Sequence, residues 1–138
     1  MSGRIFYAAA GMGRRIEGLA LVAKDGFSAR YDLDRHNGIF SRPEHKLAGR
    51  SYLGRILVLD AAKGGVATAW MLNAMKAADK IPAALVLNAV NPIMVQGAAF
   101  ADFTMLSGFD VDITQAVPDG ARVLLDPTGT RAFLQLLD

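Results

Sequence analysis

The 138-residue sequence contains no cysteine. That excludes disulfides, a thiol nucleophile, and cysteine-ligated zinc or iron–sulfur clusters within this chain. No apolar run reaches the roughly 20 residues needed to span a bilayer, so no membrane association is expected. Histidine is scarce, with two residues, and no serine–histidine–acid arrangement is visible by spacing. Internal repeats and low-complexity linkers are also absent. The opening stretch "MSGRIFYAAAGMGRR" places a short apolar patch before its arginines. An export signal carries its charge first and then a longer apolar core. The cytoplasm is therefore the expected compartment.

What is present suits one compact domain with a core of its own. A chain of this size buries about two thirds of its unfolded surface. The hydrophobic share of 52% is too high for a disordered chain. The net charge of +2 is mild, but its excess is local. Arg30, Arg35, Arg42, Lys46, Arg50 and Arg55 have only Asp32, Asp34 and Glu44 nearby. A nucleic-acid footprint needs a recognisable module as well as basic residues, and none is found. An anionic substrate or a partner surface accounts for the same charges.

Periodicity and turn residues predict an α/β domain with a mixed or barrel-like sheet. Residues 1–13 read as a loose or partly strand-like leader, and residues 14–138 as the domain. "EGLALVAKDGFSARYD" carries strand signals, with a turn at Gly26. "LDRHNGIFSRPEHKLAGRS" reads as loop, with a strong turn pair at Asn37-Gly38. "GRILVLD" and "AALVLNA" are continuous apolar strands of the doubly buried kind. Between them "ATAWMLNAMKAADK" repeats apolar residues at helical spacing, with Trp70, Met71 and Met75 facing the core. Strand–helix–strand implies a parallel pair with a right-handed crossover. "IMVQGAAFADF" reads as a short helix ending in a strand. "DVDITQAV" alternates like an edge strand carrying Asp110 and Asp112, "ARVLLDP" reads as a strand, and "TRAFLQLLD" as a closing helical turn.

Three features can carry chemistry. At Lys63-Gly64-Gly65 a strand meets a glycine pair and a helix follows. Free N–H groups at a helix start, with a lysine beside them, suit a carboxylate or phosphate. The order of residues is not that of a Walker loop, and a tight corner with an exposed lysine uses the same residues. His36 and His45, nine residues apart among acidic residues, have no metal-ligand spacing. They serve a substrate, an interface or a hydrogen bond. "SARYDLDRHNG" alternates charge, as a solvated loop or one that reaches a partner does.

The ordered set of landmarks resembles the swivel domain of the aconitase X proteins. It runs through "EGLALV" (Glu17–Val22), "FSARYD" (Phe27–Asp32), Gly38, "HKLAG" (His45–Gly49) and "GRILVLD" (Gly54–Asp60). "KGG" (Lys63–Gly65), "IPAALVL" (Ile81–Leu87) and "NPIMVQG" (Asn91–Gly97) complete it. The resemblance implies a swivelling-type domain, fused to a large domain or standing as a small subunit. Its relatives are dehydratases of cis-3-hydroxy-L-proline or phosphomevalonate. It further implies a large partner subunit, which carries any iron–sulfur cluster, and a small carboxylate- or phosphate-bearing substrate. The implied substrate-binding residues are Lys63, Gly64, Gly65 and Val66 at the corner, with Arg30, Asp32 and His45 lining the cleft or facing the partner.

One departure matters. The family's corner is basic–Gly–Ser–Ser with a later serine, and the swivel domain supplies a serine from it. Here those positions hold Gly65, Val66 and Ala69. Neither glycine nor valine moves a proton. Thr68 is the hydroxyl left nearby, and it is the candidate catalytic residue. The aspartate before "P-I" is Asn91, and the phenylalanine loop carries Ala29-Arg30 in place of a glycine pair.

Overall fold

A computed structural model describes residues 4–27, 32–62, 74–89, 103–128 and 131–137. The chain forms β1 (Ile5–Met12), β2 (Ile16–Val22), β3 (Gly26–Phe27), β4 (Leu33–Asp34), β5 (Ile39–Phe40) and β6 (Ile56–Ala62). After helical residues 74–77 come β7 (Ala84–Ala89), β8 (Thr104–Phe109), α1 (Ile113–Ala116), β9 (Arg122–Asp126) and β10 (Phe133–Leu137).

Eight strands make one mixed sheet, and β4 and β5 form a separate hairpin around Gly38. β2 bonds to β9 on one side and to β6 on the other. The strands β2-β9-β10-β1-β8-β7-β6 therefore close into a ring. β2, β6, β7 and β8 run parallel, while β8-β1-β10-β9-β2 is antiparallel throughout. The expected parallel pair is β6 and β7, with Ile56 opposite Ala84 and Leu59 opposite Leu87.

Side-chain alternation divides the core in two. Ile56, Val58, Ala84, Val86 and Leu106 face the inside of the ring with Phe6, Ala20, Val123, Leu125 and Leu134. Leu57, Leu59, Leu85, Leu87 and Met105 face outward, under Leu33, Phe40, Leu47, Tyr52 and Met75. Strands β6 and β7 are thus buried on both faces, as their unbroken apolar runs require. Met75 joins the core at 2% exposure. Trp70 and Met71 lie outside the described residues.

Two expectations need correction and two are refined. Residues 5–12, read as part of a loose or partly strand-like leader, form β1 within the sheet, bonded to β10 and β8. Alanine and glycine have low strand propensity, but Phe6 and Ala8 fill the ring. "FLQLL" is strand β10, not a helical turn, because β1 and β9 take up its backbone groups on both sides. The alternating "DVDITQAV" contains α1, not an edge strand. Asp112 accepts the N–H of Thr114 as the N-cap, and Ile113 is buried. The strand after "IMVQGAAFADF" begins at Thr104, and residues 93–102 lie outside the described residues.

Gly13 makes the corner between β1 and β2 at φ +96°. A Cβ there would lie 2.5 Å from the backbone Cα of Thr104. The Thr104 hydroxyl accepts from the N–H of Arg14 at 3.1 Å and donates to its carbonyl at 2.9 Å. Gly120, at φ +84°, has open space around it. Gly13→Ala is expected to destabilise the fold by about 2–3 kcal/mol and Gly120→Ala by about 1 kcal/mol. Urea unfolding of the two variants tests the difference.

Candidate functional site

In a parallel sheet the carboxyl ends of the strands are where ligands gather. Here those are the ends of β6 and β7, after which the glycine corner and the 91–97 segment follow in sequence. Two polar assemblies fix that end.

The first holds β3 in place. Gly26 and Phe27 pair with Ala61 and Ala62, the last residues of β6. His45, with no exposed side-chain surface, bonds the Gly26 carbonyl through Nε2 at 2.8 Å. Its Nδ1 accepts the N–H of Leu47 at 3.0 Å. These bonds require a neutral imidazole with its proton on Nε2. Its ring stacks on Phe40 at 4.6 Å. Asp25 and Asp32 flank it, with carboxylate oxygens 3.8 Å and 3.9 Å from its two nitrogens. Arg42 joins them, donating to Asp32 at 2.6 Å and lying 3.7 Å from Asp25. Burial pushes the Asp25 carboxyl up, but the N–H groups of Gly26 and Lys46 outweigh it and leave it below the usual range.

The second assembly lies at the ends of β6 and β7 beside α1. The Asn88 amide donates to Asp60 at 3.0 Å and to Asp112 at 2.8 Å, and its carbonyl accepts the N–H of Ile113 at 2.8 Å. Lys24 donates to the other oxygen of Asp112 at 2.8 Å. The Lys24 ammonium, then Thr114 and Asn88, hold the Asp112 carboxyl far below the usual carboxylate range. Asn88 stands three residues before Asn91, and Asp60 three before Lys63. One amide therefore ties together the strands that lead to both landmarks.

Of the predicted site residues, Asp32 and His45 are brought together, and both are buried, at 2% and 3% exposure. Arg30, Lys63, Gly64, Gly65, Val66 and Thr68 lie outside the described residues, as do Asn91 to Gly97. Sequence reasoning did not single out Asp25, Asn88 or Lys24, and it counted Arg42 only within the basic 30–55 stretch. Asp112-Ile113-Thr114 carried a readable N-cap signal, whereas the Asn88 contacts join residues 24 to 28 positions apart. Among the described residues no cluster of metal-ligating side chains occurs, and no helix is long and apolar enough to cross a membrane.

The family model of the aconitase X swivel domain matches residues 5–133. The chain belongs to that family. A phosphomevalonate dehydratase small subunit of Methanosarcina mazei is 28% identical over 121 residues, covering 88% of this chain and 83% of that protein. One from Thermococcus kodakarensis is 30% identical over 115 residues, covering 83% and 84%. A crystal structure of Thermococcus kodakaraensis aconitase X in its holo form superposes with a TM-score of 0.88 at 26% identity, covering 99% of this chain and all of that one. The aconitase X swivel fold is therefore what carries the two assemblies described here.

Two substitutions test them. His45→Ala leaves the Leu47 N–H and the Gly26 carbonyl without their partner, which is expected to cost about 2–5 kcal/mol in denaturant unfolding. Asp112→Asn keeps a good N-cap and removes the charge. A carboxyl held below its unfolded value stabilises the fold above about pH 4, and that contribution fades as pH falls through the folded value. Asp112→Asn is expected to be less stable than the wild type at pH 7, with a gap that narrows at pH 3.

Proposed function

We propose that this chain is the small, swivel subunit of an aconitase-X-like hydro-lyase. It closes over an active site carried mainly by a large partner subunit. The substrate is a small hydroxy acid, and a phosphorylated one is the class that the relatives' name points to. The supporting observation is the match along more than four fifths of the chain to proteins named phosphomevalonate dehydratase small subunit. The cytoplasm is the compartment this reading assigns.

Eliminating water from a hydroxy acid needs its anionic groups held, a proton taken from carbon, and a proton given to the departing hydroxyl. In this reading Lys63 and the amides of Gly64, Gly65 and Val66 hold a carboxylate or phosphate. Thr68 is the hydroxyl this chain offers for proton transfer, unless a group of the large subunit takes that part. Asp32 and His45 act by bracing β3 against β6, and Arg30 faces the cleft or the partner. An iron–sulfur cluster does not fit this chain, which has no cysteine to ligate one. Any cluster belongs to the large subunit.

A second reading rests on the missing serines: an anion-binding or regulatory swivel domain without catalytic part. The two separate in a pull-down of the tagged chain from its native lysate. The dehydratase reading expects a large partner, and in that complex Lys63→Ala should raise KM for the hydroxy acid at least about tenfold. A chain that runs alone, or a complex indifferent to Lys63→Ala, leaves the second reading in its place.

A further inference from the structure

The cations of the 30–55 stretch are mostly used by the fold. Arg42 pairs with Asp25 and Asp32, and Arg50 lies 3.4 Å from Asp119. Arg55 donates to the carbonyls of Leu19 and Ala20. The Arg35 side chain, like that of Lys46, is exposed and takes part in no hydrogen bond or ion pair among the described residues.

Arg35 lines a groove of about 500 Å³ between the β4–β5 hairpin and helical residues 74–77. That volume is within the range of small-molecule sites. Leu33 and Met75, both nearly buried, give the groove apolar lining. Arg35, His36 and Lys80 supply its basic groups. The one lining carboxylate, Asp34, is turned into its own hairpin. It accepts the N–H groups of His36 and Asn37 at 3.0 Å and 3.2 Å, and the Asn37 amide at 2.8 Å.

A second observation lies on the same hairpin, where Tyr52 packs edge-on to Phe40 and its N–H bonds the Gly38 carbonyl. Among the described residues, the Tyr52 hydroxyl is the buried side-chain polar atom without a hydrogen-bond partner. Such atoms are uncommon in native folds. Burial pushes the Tyr52 hydroxyl up, and the charges of Arg35 and Asp34 act on it in opposite directions.

Lys80 sets one end of the groove toward the start of β6. Lys80 stands four residues before Ala84, which pairs with Ile56 at the start of β6. Ala62, which precedes the corner in sequence, is at the other end of that strand, about 20 Å along it.

We propose that this groove binds a small organic anion, a carboxylate or phosphate monoester on an aliphatic body. Arg35, His36 and Lys80 attract the anionic head, and Leu33 and Met75 receive the body. The assignment holds whichever reaction the corner serves. The test is an amide NMR titration of the isotopically labelled chain at low salt, with inorganic phosphate and with n-butyl phosphate. Saturable shifts are expected at residues 34–36 and 78–80, with butyl phosphate at least about tenfold tighter because its chain is buried. Arg35→Ala and Lys80→Ala should each weaken binding at least about threefold while leaving the spectrum dispersed. Arg35→Lys should restore most of the loss. Absent groove shifts, shifts unchanged by the variants, or shifts confined to residues 63–68 would overturn the proposal. A groove that responds to the large partner subunit but to neither phosphate would overturn it too.

Discussion

Strand β6 has one uninterrupted neighbour on its free side, and most of the architecture depends on that ladder. β2 covers its first half. The chain then steps through residues 23–25 without letting go. The N–H of Ala23 reaches the Val58 carbonyl at 3.1 Å, and the N–H of Asp60 reaches the Asp25 carbonyl at 2.8 Å. β3 completes the cover at Ala61 and Ala62. Without that row the ring has no closure, and an unpaired backbone edge beside a doubly buried strand would be costly. His45, Asp25 and Arg42 are arranged around the step, which explains why so much polar chemistry is buried there.

The two assemblies at the strand ends divide the work. One fixes the segment that pairs beside the last residues of β6. The other locks β6 to β7 and to the start of α1. Both are made of fully engaged side chains, so their part is to hold and not to react. Reactive chemistry in the proposed complex falls to the corner and to the larger subunit. Gly65, Val66 and Ala69 carry no hydroxyl, which in that proposal leaves the larger subunit the heavier contributor.

How legible this was in the sequence depended on range. The doubly buried strands β6 and β7, the Asn37-Gly38 turn and the core role of Met75 all rest on local pattern, and each stands in the fold. β10 was misread because "FLQLL" is apolar at nearly every position, so its period does not tell a strand from a helical turn. α1 was misread because polar–apolar alternation imitates a strand, and one side-chain bond from Asp112 decides otherwise. β1 was legible only in part, because its alanines and glycine weaken the strand pattern. The site followed the same rule. Asp32 and His45 were picked out as candidates, but His45 is buried against Phe40 and Gly26 of β3, and Asp32 beside Arg42 and His45. The Lys24–Asp112 bond joins residues 88 positions apart and has no local sign.

The first and last strands of the chain are neighbours: β1 and β10 pair side by side, and the N–H of Leu136 bonds the carbonyl of Arg4 at 2.8 Å. Such a unit leaves a host polypeptide and returns to it through the same small opening. It can be spliced into a surface loop of another protein, or its ends joined and new ones cut elsewhere, without stretching the sheet. A module with that geometry moves readily between life as a free subunit and life as an insert in a longer chain, because neither state asks its two ends to be anywhere but together.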